Sequence, residues 1–153
     1  MAYCTQEDIE KKIPAAKLVE LTDDTGAGEV GETGVAIIAE AVAEADAVID
    51  SYCGHRYTVP FASESVPDIV RLFSIRLSVY ELYSRRPDGG IPDSVADNYD
   101  KTIDHLNRIS LGRAQVGGPV KTDDRGLPKA VTPADSSGDE DEAVFTREAL
   151  ENM

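Results

Sequence analysis

Val35-Ala36-Ile37-Ile38-Ala39-Glu40-Ala41-Val42-Ala43-Glu44-Ala45-Asp46-Ala47-Val48-Ile49-Asp50-Ser51-Tyr52 is the stretch that decides the fold. Val35, Ile38, Val42, Ala45, Ile49 and Tyr52 recur at spacings of 3-4-3-4-3. That places them along one side of an α-helix for about three heptads. Thr33 is placed to cap this helix and Gly54 to stop it. About twenty residues give a rod roughly 30 Å long. Its apolar seam has to be covered by other helices.

The flanking segments supply them. Upstream, Thr5 and Asp8 have the spacing of a capping box, which predicts a short helix from Gln6 to about Lys12. Pro14 opens a second short piece ending near Thr22, with Leu18, Val19 and Leu21 as its apolar side. Downstream, Ser65 and Pro67 mark the start of a helix whose Ile69, Leu72, Phe73, Ile75, Leu77, Val79, Tyr80, Leu82 and Tyr83 surround most of its circumference. A helix apolar on most sides is central. Pro92 opens the last helix, with Val95, Tyr99, Ile103, Leu106 and Ile109 on one face. Leu111-Gly112 ends it. The sequence therefore predicts an all-α fold, a small bundle of about four main helices over 1–112. A long extended acidic arm, 113–153, follows. Gly117, Gly118, Pro119, Gly126, Pro128 and Pro133 forbid a long helix there, and residues 135–142 are polar and acidic. The arm closes on a small apolar-basic segment containing Phe145, Arg147 and Leu150.

The net charge is −14, from 15 Lys+Arg and 29 Asp+Glu. The excess acid is spread along body and arm alike. Wrapping DNA needs clustered cations, so that function is excluded. An acidic wall repels phosphate and lets DNA pass without sticking. No apolar run approaches the ~18 residues of a membrane span, and the first residues lack the pattern of a signal peptide. The expectation is folding in the cytoplasm without membrane contact.

Patterns for chemistry fail one by one. Counted from Asp23, the acidic loop 23–29 puts Ala27 and Gly34 where a calcium loop needs oxygen ligands, so a flexible acidic turn is the simpler reading. Cys4, Cys53, His55 and His105 have the inventory of a zinc site without its spacing. There is no Gly-x-Ser-x-Gly elbow, no phosphate loop, no dinucleotide fingerprint and no His-Glu-x-x-His. The sequence thus reads as a non-enzyme with no cofactor. What stands out instead is surface. The pairs Glu40/Glu44 and Asp46/Asp50 repel along one helix by a few tenths of a kcal/mol each. Cations of a neighbouring copy, from among Arg71, Arg76, Arg85 and Arg86, are the expected partners. The connection 54–65 carries Tyr57, Val59, Pro60 and Phe61 beside Arg56 and is too apolar for a bare loop. Packing on its own domain would account for the loop equally, and an untethered solubilising tail for the arm; the contact reading has Arg56, Tyr57, Pro60 and Phe61 touching a partner, and Phe145, Arg147 and Leu150 of the arm doing the same.

Several pieces occur in a fixed order. Met1-Ala2-Tyr3-Cys4-Thr5 is followed by Leu21-Thr22-Asp23-Asp24, then by Ala45-Asp46-Ala47-Val48-Ile49-Asp50-Ser51-Tyr52 and Arg56-Tyr57-x-x-Pro60-Phe61. Tyr80-x-x-Tyr83-x-x-Arg86-Pro87 and Phe145-Thr146-Arg147-Glu148-Ala149-Leu150 complete the series. In order and spacing this resembles the small neck proteins of Mu-like tailed bacteriophages and prophages, within the head–tail connector (adaptor) group. The resemblance implies a structural protein of the virion neck, assembled in the host cytoplasm. It implies a dodecameric ring below the portal protein, extending the DNA channel toward another neck or tail-terminator protein. Double-stranded DNA would pass through without tight binding. Cys4 and Cys53 depart from the pattern, where small or apolar residues are usual. The alternative from composition alone is a small acidic module that regulates a host protein.

Overall fold

The computed structural model describes residues 2–24, 26–86 and 89–117. Among them are five α-helices, α1 (Gln6–Glu10), α2 (Ala15–Thr22), α3 (Glu32–Cys53), α4 (Asp68–Ser84) and α5 (Asp93–Ser110), with a 3-10 turn at Ser63–Ser65 and no strand element. The all-α expectation holds. Most of the expected arm, with Phe145, Arg147 and Leu150, lies outside the described residues.

Thr5 caps α1 as expected, its hydroxyl accepting from the Asp8 amide while the Asp8 carboxylate accepts from the Thr5 amide. Three other helices start by one shared device. Pro14, Pro67 and Pro92 are the N-cap residues of α2, α4 and α5, each extended at ψ near 140° (138°, 141° and 139°). Each proline carbonyl accepts the amides three and four residues on. Proline fixes its own φ and steers the residue before it away from helix, so the chain enters the helix at a defined place. The prolines thus stand one position earlier than expected, and Ser65 lies in the 3-10 turn rather than at the cap of α4. Likewise Gly31, not Thr33, precedes α3.

α4 is the central rod, with Val70, Phe73, Leu77 and Leu82 almost wholly buried and α1, α2, α3 and α5 packed around it. Two apolar clusters share it. One joins Tyr3, Ile49, Tyr57, Phe61, Phe73, Leu106 and Ile109. The other joins Cys4, Ile9, Leu18, Leu21, Ile38, Val42 and Leu82. The expected α3 seam is buried at Ile38, Val42, Ala45 and Ile49, but Val35 is 43% exposed. An α-helix advances 3.6 residues per turn against a seam repeat of 3.5, so the stripe drifts off the partner at one end.

α5 ends in a Schellman turn. The amide of Gly112 bonds to the Ile109 carbonyl at 3.0 Å and that of Arg113 to the Arg108 carbonyl at 2.8 Å. Gly112 stands at φ +75°, and a Cβ there would lie 1.8 Å from Nη1 of Arg56. The turn sends the chain back over the body. Val116 is buried, and its amide donates to the Tyr57 hydroxyl at 3.2 Å. Val116 thus packs into the same apolar cluster as Tyr57 and Phe61. Gly112→Ala is expected to cost about 1 kcal/mol for the left-handed backbone alone. That is a fall of roughly 5 °C in Tm by circular dichroism. An unchanged Tm would mean that the turn is not needed to close α5.

Candidate assembly surfaces

The aromatic loop is the first surface to test. Tyr57 is 1% and Phe61 2% exposed. The Phe61 ring meets Tyr3 edge-on at 5.7 Å and lies 6.1 Å from Tyr57. Tyr57 and Phe61, expected to touch a partner, are both buried inside the protomer. They fill the gap between the N-terminal strap (residues 2–5), the end of α3 and the return segment after α5. Pro60 alone of the expected contact residues in this loop is exposed, and Arg56 is half-buried against Gly112. The Arg56 Nε is the one buried side-chain nitrogen or oxygen without a hydrogen-bond partner among the described residues.

The acidic helix divides in two. Asp46 is buried at the junction of the two apolar clusters. Its carboxylate accepts from the Tyr3 amide at 2.8 Å and from the Ser74 hydroxyl at 2.6 Å. Asp50 accepts from the Tyr3 hydroxyl, which in turn accepts from the Phe61 amide at 3.0 Å. These acids tie the N-terminal strap to α3 and α4. Both are expected from the sequence as inter-subunit charges; within the protomer they bond to Tyr3 and Ser74. Burial pushes the Asp46 carboxyl above its usual range, the bonds from Ser74 and Tyr3 opposing it. Burial first, and the bond to Asp50 second, raise the Tyr3 hydroxyl. Glu40 and Glu44 remain outward and exposed.

The arginines divide as well. Arg85 donates to the Leu21 carbonyl at 3.1 Å and to Asp24, and Arg86 donates to the Asp23 carbonyl at 2.8 Å and to Asp24 at 2.7 Å. The hydrogen bond from Arg85 holds the Asp24 carboxyl below the usual carboxylate range. The Asp23 carboxylate accepts the amides of Gly26 and Gly28 at 2.8 and 2.7 Å. The acids of this loop thus fold the loop and clamp it to the end of α4. Arg85 and Arg86, expected to meet a neighbouring copy, make these bonds within their own chain while staying partly exposed. Sequence reading missed this clamp because its partners lie some sixty positions apart (|i−j| of 61 to 64). Arg71 is exposed and Arg76 half-buried, and neither forms an ion pair among the described residues.

Cys4, Cys53, His55 and His105 do not converge. Among the described residues no group of three or more His, Cys, Asp or Glu could hold a metal ion. Cys4 accepts from Ser74 at 3.2 Å, and burial pushes the Cys53 thiol up to about 11. Such neutral, enclosed thiols act as small apolar side chains. His105 packs its ring on Phe73 at 5.2 Å. Among the described residues no helix is long and apolar enough to cross a membrane.

Residues 3–132 match the family described as Bacteriophage Mu, Gp36. The match spans most of the chain, which therefore belongs to that family and is a phage protein. The Mu-like character read from the ordered sequence pieces is the same relationship. No curated protein matches the chain.

Proposed function

We propose that this chain is a structural head–tail connector of a Mu-like phage, forming a ring below the portal and giving the tail its seat. The observation that carries the reading is how the chain uses its polar groups. Among the described residues, Thr22, Asp46, Ser74, Ser78 and Thr102 are the buried polar ones, and each is bonded within the protomer. A catalytic site needs such groups held in reserve and aimed at a substrate. Here they are spent on rigidity, in a member of a phage family. A stiff protomer with outward charge suits assembly and not catalysis. The chain acts without a cofactor.

In this reading the ring is dodecameric, as the sequence resemblance implies. It touches the portal protein on one side and a second neck or tail-terminator protein on the other. The net charge of −14 lets double-stranded DNA pass without being held. The closing segment 143–153, with Phe145, Arg147 and Leu150, grips a neighbouring subunit or the portal, and its removal lowers the yield of joined particles.

The test is a phage carrying a stop codon early in this gene. DNA-filled heads and separate tails should accumulate in the lysate, and wild-type chain supplied from a plasmid should join them. Normal numbers of tailed particles without the protein would defeat the reading. So would a monomeric chain whose loss changes a host activity and leaves particles intact, which is the outcome for an acidic regulator.

A further inference from the structure

We infer that the groove between α4, α5 and the turn after α1 receives the outward face of α3 from a second copy of this chain. The inference rests on the ring reading and names the two surfaces that would build it. The groove encloses about 250 Å³. Leu72, Ile75, Val79 and Val95 make its apolar lining, and Lys12 and Arg76 supply its charge. Lys12 and Arg76 have no ion-pair partner among the described residues.

The outward face of α3 has the complementary character. At 100° per residue, Ala36, Ala39, Ala43 and Ala47 share the exposed arc, and Glu40 and Glu44 run along one border of it. Glu40 and Glu44 repel each other at i,i+4. Arg85, the cation that senses Glu40, is held by Asp24. A cation from another copy would relieve that repulsion. Small side chains on the arc let a second helix come close, so the arc can pack on the apolar lining of the groove.

No residue of α3 lines the groove, so the two surfaces are separate parts of one chain. Joining them is a head-to-tail contact. Repeated by a rotation that closes, it gives a ring, and by one that does not, a filament. The strong negative charge of the chain makes copies repel at long range, so local cations facing Glu40 and Glu44 are what a stable contact requires. Of the charges expected to meet across subunits, Asp46, Asp50, Arg85 and Arg86 are consumed internally. Glu40, Glu44 and Arg76 are retained here, and Lys12 joins them.

Charge reversal tests this on the full chain. The variants are E40K/E44K and K12E/R76E, all four at exposed or half-buried positions. Circular dichroism verifies that each folds as the wild type does. Sedimentation velocity and native mass spectrometry then measure association. Each variant alone should associate about tenfold more weakly or worse. An equal mixture of the two should recover association, because each altered face now meets its opposite charge. A wild type that forms rings while either variant associates equally well, or while the mixture recovers nothing, overturns this pairing and leaves the ring reading standing. A wild type that stays monomeric at every concentration overturns both.

Discussion

Phe61→Ser is expected to lower the unfolding free energy by about 4 kcal/mol, measured by urea denaturation. Emptying a buried phenylalanine site costs roughly 3–5 kcal/mol, from lost transfer energy and the cavity left behind. Phe61 is 2% exposed and touches two other aromatic rings. Edge-to-face pairs of this kind add about 0.5–1.5 kcal/mol beyond their burial. Serine adds a hydroxyl that has no partner in the emptied space. Tyr57→Ser should cost a similar amount, because the Tyr57 hydroxyl also receives the Val116 amide and so fastens the return segment. Domains of this size carry about 5–15 kcal/mol in all, so the double variant should be largely unfolded. Thr58→Ala, at an exposed position of the same loop, should stay within about 0.5 kcal/mol of the wild type. Assembly should fall only as the folded fraction falls. A Phe61→Ser protein of near wild-type stability that fails to assemble would restore the loop as a contact surface.

That loop shows where sequence reading reaches its limit. The apolar content of 54–65 was legible, and so was the conclusion that it packs on something. Which side it packs on was not, because its neighbours Tyr3 and Val116 come from the two ends of the described chain. Helix placement was legible where periodicity or proline marks it, as in α3, α4 and α5. Boundaries slipped by one to a few residues because proline serves equally well just before a helix or inside its first turn. The charge pattern misled at Asp46, which reads as one half of a solvated pair. An i,i+4 spacing says that two acids are neighbours on a helix, not which way the helix is turned. Asp46 lies at the edge of the seam residues Val42, Ala45 and Ile49 and turns inward with them. The signal that could have found it was the hydroxyl-bearing pair Ser74 and Ser78 in the most apolar helix. Buried hydroxyls on a central helix need partners, and an acid on the facing helix is a natural one for Ser74.

Asp46→Ala is expected to cost about 2–3 kcal/mol, because it leaves the Tyr3 amide without an acceptor and takes one from the Ser74 hydroxyl. Relief from burying a charge near Asp50 offsets part of this, and Ser74 retains Cys4 as a weak acceptor. Asp46→Asn keeps one acceptor oxygen and removes the charge, so its cost should be smaller, about 1 kcal/mol at neutral pH. The two proteins should then differ in their pH dependence. In the folded chain burial raises the Asp46 pKa above its ordinary 3.8. Between that ordinary value and the raised one, the folded protein holds a proton that the unfolded chain has released. Stability from this group is therefore fully present below 3.8 and is lost as pH rises through the folded pKa. Asp8 and Asp24, whose pKa values are lowered, work in the opposite sense, but they are common to both proteins and cancel in the difference. As pH falls from neutral toward 4, the wild type should thus gain on Asp46→Asn. The gap should level off below the ordinary carboxylate range. Denaturation at several pH values measures it, with Asp50 and the Tyr3 hydroxyl as the groups that face the site. A gap that narrows as pH falls would mean that Asp46 is held as a favoured carboxylate. The strap would then be tied to the bundle more firmly by the ionised Asp46 than by the protonated one.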